Sequence, residues 1–428
     1  MNKSLSLVFI ILVSIISFSS DFNKYFENNT LFINLTHSGN AIREEYSIKN
    51  FRQTDFWAGP LNNIIDDMAL GKYKFEVYDN DSNKLIYSTS YSSLFSEWQT
   101  IEESKRLYKS FEETVKIPFP KKTVRIKILS RDKKGRFKQV FSFDFNKSKD
   151  IISKEIPLNH RIIKFGKIKD CNKAVDILII GEGYLKSDKN KFKKDFYKFS
   201  KEFFSISPYK NNRDKINIRG LFIPSQEREP DDPERDIYHR TMFDTTFYTF
   251  KLPRYLNSFS IHKLYFFASA VPYDTIMIMV NTKKYGGAGI YNFYSIFPSD
   301  NKASKYVFLH EFGHNFGGLG DEYYSSKVTY SDFYPKGVEP WEPNITALLS
   351  KKVKWQKFIT KNIPVPTPDI KKYRDKVGAF EGAGYVARGL YRPTNNCIMY
   401  NKDAGKFCPV CEHAIKRRIK FYSDEKYK

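Results

Sequence analysis

Ala174-Val-Asp-Ile-Leu-Ile-Ile180 is a nearly continuous apolar run, broken only by Asp176 and followed at once by the turn Gly181-Glu-Gly-Tyr184. A strand that alternates apolar and polar residues has one wet face, whereas a short unbroken run marks a strand covered on both faces by other elements. The residues that follow agree with such a sheet. Asp188 can cap a helix on which Phe192, Phe196, Phe199 and Phe203 share one stripe, and Ile216–Ile223 and Thr275–Val280 are further apolar runs. Strand, helix, strand in that order predicts an α/β or α+β domain over residues 159–428.

Upstream the pattern is different. Lys72-Tyr-Lys-Phe-Glu-Val-Tyr78 alternates, Asp79-Asn-Asp-Ser-Asn83 supplies turn residues, and Lys84-Leu-Ile-Tyr-Ser-Thr89 returns, which is a hairpin. Lys122–Leu129 and Phe137–Phe145 repeat it around Arg131-Asp-Lys-Lys-Gly135. Short strands at this spacing predict an N-terminal antiparallel β-sandwich over residues 21–158. It carries no catalytic constellation, so support or substrate recognition is its expected role. The fold class is α+β.

Residues 1–20 hold one cation, Lys3, then the apolar run Leu5–Ile16, then small residues at Ser17, Ser19 and Ser20. That is the layout of a signal peptide, and the run is shorter than the ~20 residues of a spanning helix. The chain is therefore expected to be exported, to a secreted, periplasmic or cell-surface location, with no membrane span once the segment is removed. The formal charge is +23, but the cations lie in short dispersed clusters such as Lys121-Lys122 and Lys416-Arg417-Arg418. No nucleic-acid signature accompanies them, so they read as a solvated surface and no nucleic-acid partner is expected.

The chemistry is concentrated in His310-Glu-Phe-Gly-His314, which follows the helix-forming Lys305-Tyr-Val-Phe-Leu309. Histidines four apart share a helix face and can hold one zinc ion together, while Glu311 sits beside them as a general base. Zn2+, one ion, is the expected cofactor. Gly317, Gly318 and Gly320 allow the chain to leave the helix sharply and bring back a third ligand. Metalloproteases with an extended His-Glu-x-x-His-x-x-Gly-x-x-His motif do this, but position 320, where they have the last histidine, is Gly. Asp321 is the nearest candidate, with Glu322 as the alternative. Downstream, Cys397-Ile-Met-Tyr400 offers Met399 for the methionine turn that metzincin enzymes set under the metal.

His310–Tyr323 resembles the signature of the IgA peptidase family of bacterial metallopeptidases. Gly181-Glu-Gly-Tyr184, Tyr285-Gly-Gly-Ala-Gly-Ile-Tyr-Asn292 and Cys397-Ile-Met with Phe407-Cys-Pro-Val-Cys411 agree with it, as do Gly71-Lys-Tyr-Lys-Phe75 and Ser96-Glu-Trp-Gln-Thr100 in the N-terminal part. Family members often have Asp where Glu182 stands. The resemblance implies a metzincin-like zinc endopeptidase acting on proteins or glycoproteins, some relatives of which cleave immunoglobulin A. The Tyr285–Asn292 segment could present a sheet edge to extended substrate.

Tyr323, Tyr324 and Tyr400 are candidate donors to an oxyanion, and His37, His160, His239 and His262 lack ligand spacing. Of the four cysteines, Cys397 is expected to form a disulfide with Cys408 or Cys411, since the compartment is oxidising. A structural zinc site would have had only His413 as a fourth ligand. The competing function, a binding or adhesion protein that keeps the peptidase fold, would show loss of Glu311 or of a ligand histidine, and neither is lost.

Overall fold

The computed structural model describes residues 21–157, 161–325, 333–350 and 352–427; the expected signal segment 1–20 and His160 lie outside them. The N-terminal part opens with a short helix, α1 (Asp21–Tyr25), and then forms two four-stranded sheets. Its strands are β1 (Phe26–Gly39), β2 (Glu44–Thr54), β3 (Tyr73–Asp79), β4 (Leu85–Tyr91), β5 (Lys109–Pro120), β6 (Val124–Arg131), β7 (Phe137–Phe145) and β8 (Ile152–Ser153), with helix α2 (Leu94–Trp98) after β4. The sheet orders are β5-β1-β2-β8 and β4-β3-β6-β7. The expected hairpins are present, with Tyr73 opposite Tyr91 and Val124 opposite Phe145. Alternation decides which side is dry. Val124, Ile126 and Ile128 face the core with Phe75, Val77, Leu31 and Ile33, while Arg125 and Lys127 face out.

One polar group inside this part is paired rather than solvated. His37 is fully buried between the rings of Phe95 and Tyr46, with Nδ1 2.7 Å from Glu113 Oε1 and Nε2 3.4 Å from Glu44 Oε2. Burial works against the imidazolium, but the two carboxylates outweigh it and raise the His37 pKa above its usual value. A raised folded-state pKa stabilises below the unfolded value, ~6.5, and that contribution is lost as pH rises through the folded value. The stability gap between wild type and His37→Gln should thus be wider at about pH 6 than at about pH 9, in urea titrations of both proteins.

The second part is built on a six-stranded mixed sheet in the order β15-β16-β14-β10-β11-β9. Here β9 is Arg161–Lys164, β10 Val175–Glu182, β11 Ile216–Phe222, β14 Thr275–Val280, β15 Ala288–Ile290 and β16 Tyr294–Pro298, while β12 (Thr245–Thr246) and β13 (Asn257–Ser258) make a small separate pair. The apolar run of β10 is buried along its whole length, as expected. Val175, Ile177 and Ile179 join one core with α3 (Lys189–Phe203) and α5 (Ser304–Gly317), and Leu178 and Ile180 join another with α4 (Ile261–Ala268) and α2. Phe192, Phe196, Phe199 and Phe203 of α3 all lie in the first core, where a Phe→Ala change costs about 3–5 kcal/mol. Asp188 stands at the N-terminus of α3 but does not cap it. Its carboxylate accepts from the Leu185 N–H and from Arg228 instead.

A hairpin of β17 (Phe380–Ala383) and β18 (Val386–Arg392) and the helix α6 (Pro409–Tyr422) complete the chain, which is α+β with an N-terminal β domain. Trp98 and Phe95 of the β domain share a core with Ile290 and Tyr294, and the Ser92 N–H bonds the Tyr291 carbonyl. No helix among the described residues is long and apolar enough to cross a membrane.

Candidate metal centre

Helix α5 carries the His-Glu-x-x-His residues and ends on Gly318, whose φ of +63° is open to glycine and strained for a branched side chain. The chain then doubles back, so that the Leu319 carbonyl lies 2.6 Å from His314 Nδ1. His310 Nδ1 lies 3.1 Å from the Ile398 carbonyl and 3.2 Å from the Tyr306 hydroxyl. Because a carbonyl can only accept, both Nδ1 atoms carry the hydrogen and both Nε2 atoms are left with a lone pair.

Those two lone pairs and a carboxylate meet at one point. His310 Nε2 and His314 Nε2 are 3.1 Å apart, and Asp321 Oδ1 is 3.1 and 3.3 Å from them. Ligands around a tetrahedral ion with ~2.0–2.1 Å bonds stand about 3.3 Å apart, so the triangle has the size such an ion requires. Asp321 Oδ1 is buried and has no hydrogen-bond partner of its own, whereas Oδ2 accepts a short hydrogen bond from Tyr385. Three electron-rich atoms directed at one buried point repel unless a cation lies between them, and the residues fit a metal.

Burial opposes the charged forms here, but Asp321 more than offsets it at His314, whose pKa rises to about 9, so a metal binding at that point displaces the proton that Nε2 otherwise shares with Asp321. Burial is opposed in the same way at Asp321 by the two imidazoles, which hold its carboxyl well below the usual range. Glu311, half-buried beside this triangle, is pushed up mainly by burial, against the pull of His310 and His314.

The group opens into a cleft of about 1710 Å³. The edge strand β15 lines it through Ala288 and Gly289, Tyr285 lies before them, and Lys72 and Arg131 of the β domain line it as well. Of the three tyrosines singled out from sequence, Tyr323 and Tyr400 line the cleft and Tyr324 does not. His239, His262 and His37 lie away from it in contacts of their own.

Met399 is fully buried against α5: a Cβ on Gly313 would come within 2.8 Å of its sulfur, so glycine is what permits this approach. Its neighbours make the floor. The Ile398 carbonyl holds His310, and the Met399 carbonyl accepts from the Glu322 N–H at 2.9 Å.

The structure separates the two carboxylates that the sequence left as alternatives. Asp321 faces the histidines, and Glu322 turns to the opposite side, toward Asn344 and Cys411. The disulfide expected at Cys397 is not formed. Cys397, Cys408 and Cys411 are free thiols, with Cys397 Sγ and Cys411 Sγ 3.7 Å apart rather than the ~2 Å of a bond. Backbone N–H groups occupy the sulfurs instead: Cys408 N–H donates to Cys397 Sγ, and Cys411 N–H to Cys408 Sγ.

Tyr385 was not anticipated, because it lies 64 residues from Asp321 and no spacing connects them. Loss of an outer hydrogen bond to a metal ligand typically costs ~10–100-fold in affinity. Tyr385→Phe should weaken metal binding by about that factor, measured by competition with a chelator, without abolishing it.

Residues 163–375 and 369–419 match the model of the family described as IgA Peptidase M64, and residues 21–142 match the model described as Peptidase M64 N-terminus. No curated protein matches the chain.

Proposed function

The chain belongs to the IgA peptidase M64 family, and from that premise we propose that this peptidase is an exported, metzincin-like zinc endopeptidase of extracellular proteins or glycoproteins. The observation that carries the proposal is the convergence of His310 Nε2, His314 Nε2 and Asp321 Oδ1, with Glu311 beside them at the cleft. Two imidazoles and one carboxylate suit zinc and leave a coordination position for chemistry. A zinc ion bound there supplies a Lewis acid that polarises the scissile carbonyl and makes water nucleophilic at neutral pH.

The protein's own groups do the rest. Glu311 accepts the proton of the attacking water and returns it to the leaving amine. Tyr323 and Tyr400, both at the cleft, can donate to the oxygen that becomes charged. Ala288 and Gly289 of the edge strand offer backbone groups to an extended peptide, which would bind as an added strand. Immunoglobulin A is one proposed substrate, since the family carries that name.

The test is metal quantification of the purified protein together with digestion of a panel that includes immunoglobulins and mucin-type glycoproteins. Chelator-sensitive cleavage that disappears in Glu311→Ala is the expected result. A folded, zinc-loaded protein that cleaves none of the panel, or cleavage that survives Glu311→Ala, would count against it.

A further inference from the structure

A second group of ligand-type side chains lies behind the first. Glu322, Cys397, Cys408 and Cys411 are all buried, and one ligand atom from each lies within 4.8 Å of the others. We propose that these four residues hold a structural zinc ion, separate from the His310 centre, that ties the floor of the active site together.

The sulfur–sulfur separation has the size that a tetrahedral thiolate site requires. Zinc–sulfur bonds of ~2.3 Å put two sulfurs of a tetrahedral ion about 3.8 Å apart, and Cys397 and Cys411 are separated by 3.7 Å. Cys411 Sγ is 3.1 Å from Glu322 Oε1. The Cys408-Pro-Val-Cys411 segment sits at the start of α6, and Cys408 accepts the Cys411 N–H as its cap, an arrangement that favours a thiolate over a thiol.

Glu322 supplies the independent observation. It is fully buried, and its Oε2 atom is out of contact with water and has no hydrogen-bond partner. An uncompensated carboxylate oxygen in an apolar interior is costly, so buried oxygens of this kind are normally paired or bound to a metal. A disulfide between two of the three cysteines would leave one thiol and this oxygen unanswered, since Asn344 donates only to Oε1. One divalent ion answers all four groups. His413, the fourth ligand that spacing alone would offer, is instead 2.9 Å from Lys357 Nζ at the surface.

The three segments so joined are the ones that build the catalytic centre. Glu322 follows Asp321, Cys397 precedes the Ile398 carbonyl that holds His310, and Cys408 begins the helix packed on α5. The ion would therefore fix the position of Asp321 without touching substrate.

The test uses the full-length chain and reads metal rather than activity, so it stands whether or not the protein is a peptidase. Wild type is expected to carry about two zinc equivalents and the His310→Ala/His314→Ala variant about one. Loaded with cobalt, that double variant should show sulfur-to-cobalt charge transfer in the near ultraviolet, which nitrogen and oxygen ligands cannot produce. Adding Glu322→Gln should weaken its cobalt affinity by at least ~10-fold and keep the sulfur band. Cys408→Ser should weaken the band without removing it, since two of the three thiolates remain, and should that variant fail to fold, the cobalt spectrum of the double variant still decides. A folded double variant that binds no metal, or whose intact mass is lower by two hydrogens with no sulfur band, overturns the proposal in favour of a disulfide.

Discussion

Glu311→Gln is expected to leave the zinc content unchanged and lower kcat/KM by about 10²–10⁴-fold. Glutamine keeps the size of the side chain and its position beside His310, but it cannot accept a proton from water. Glu311 is not one of the three groups whose atoms converge, so its charge is not needed to hold the ion. The comparison to make is metal content by mass spectrometry beside peptide hydrolysis on the same sample. Full activity in a zinc-loaded variant would remove Glu311 from the mechanism, and loss of zinc would make it a ligand.

The parts of this site that were legible in the sequence are those whose geometry is local. Four residues along a helix put His310 and His314 on one face wherever the helix goes, and a Gly at 318 announces the turn that follows. The alternating strands and the apolar run of β10 were legible for the same reason, since period two and continuous burial are set by the strand itself. What the sequence left open depends on which segments cross. Asp321 and Glu322 are equally available after the turn.

Their directions follow from the partners of the chain there: Gly384 and Tyr385 N–H groups bond the Asp321 and Tyr323 carbonyls on one side, and Glu322 N–H bonds Met399 on the other. Successive side chains of a segment held this way point to opposite sides, so one carboxylate enters each cluster. The cysteines were misjudged for a related reason. Spacing showed that Cys397, Cys408 and Cys411 were close, but not that a carboxylate shared their pocket.

Asp321→Ala is expected to lose both zinc from the His310 centre and turnover, a phenotype distinct from that of Glu311→Gln. The substitution removes one of the three atoms of the triangle and leaves two imidazoles 3.1 Å apart with no anion to offset the charge of the ion. A two-ligand site binds zinc far more weakly than a three-ligand one, so the loss should exceed the ~10–100-fold expected for Tyr385→Phe, which removes only a hydrogen bond to the same carboxylate. The order wild type, Tyr385→Phe, Asp321→Ala in zinc affinity is therefore the quantity to measure, by chelator competition at one pH. Asp321→Ala with wild-type affinity and activity would show that the convergence of these groups is not a metal site, and affinity lost equally in both variants would show that Tyr385 acts on the fold and not through Asp321.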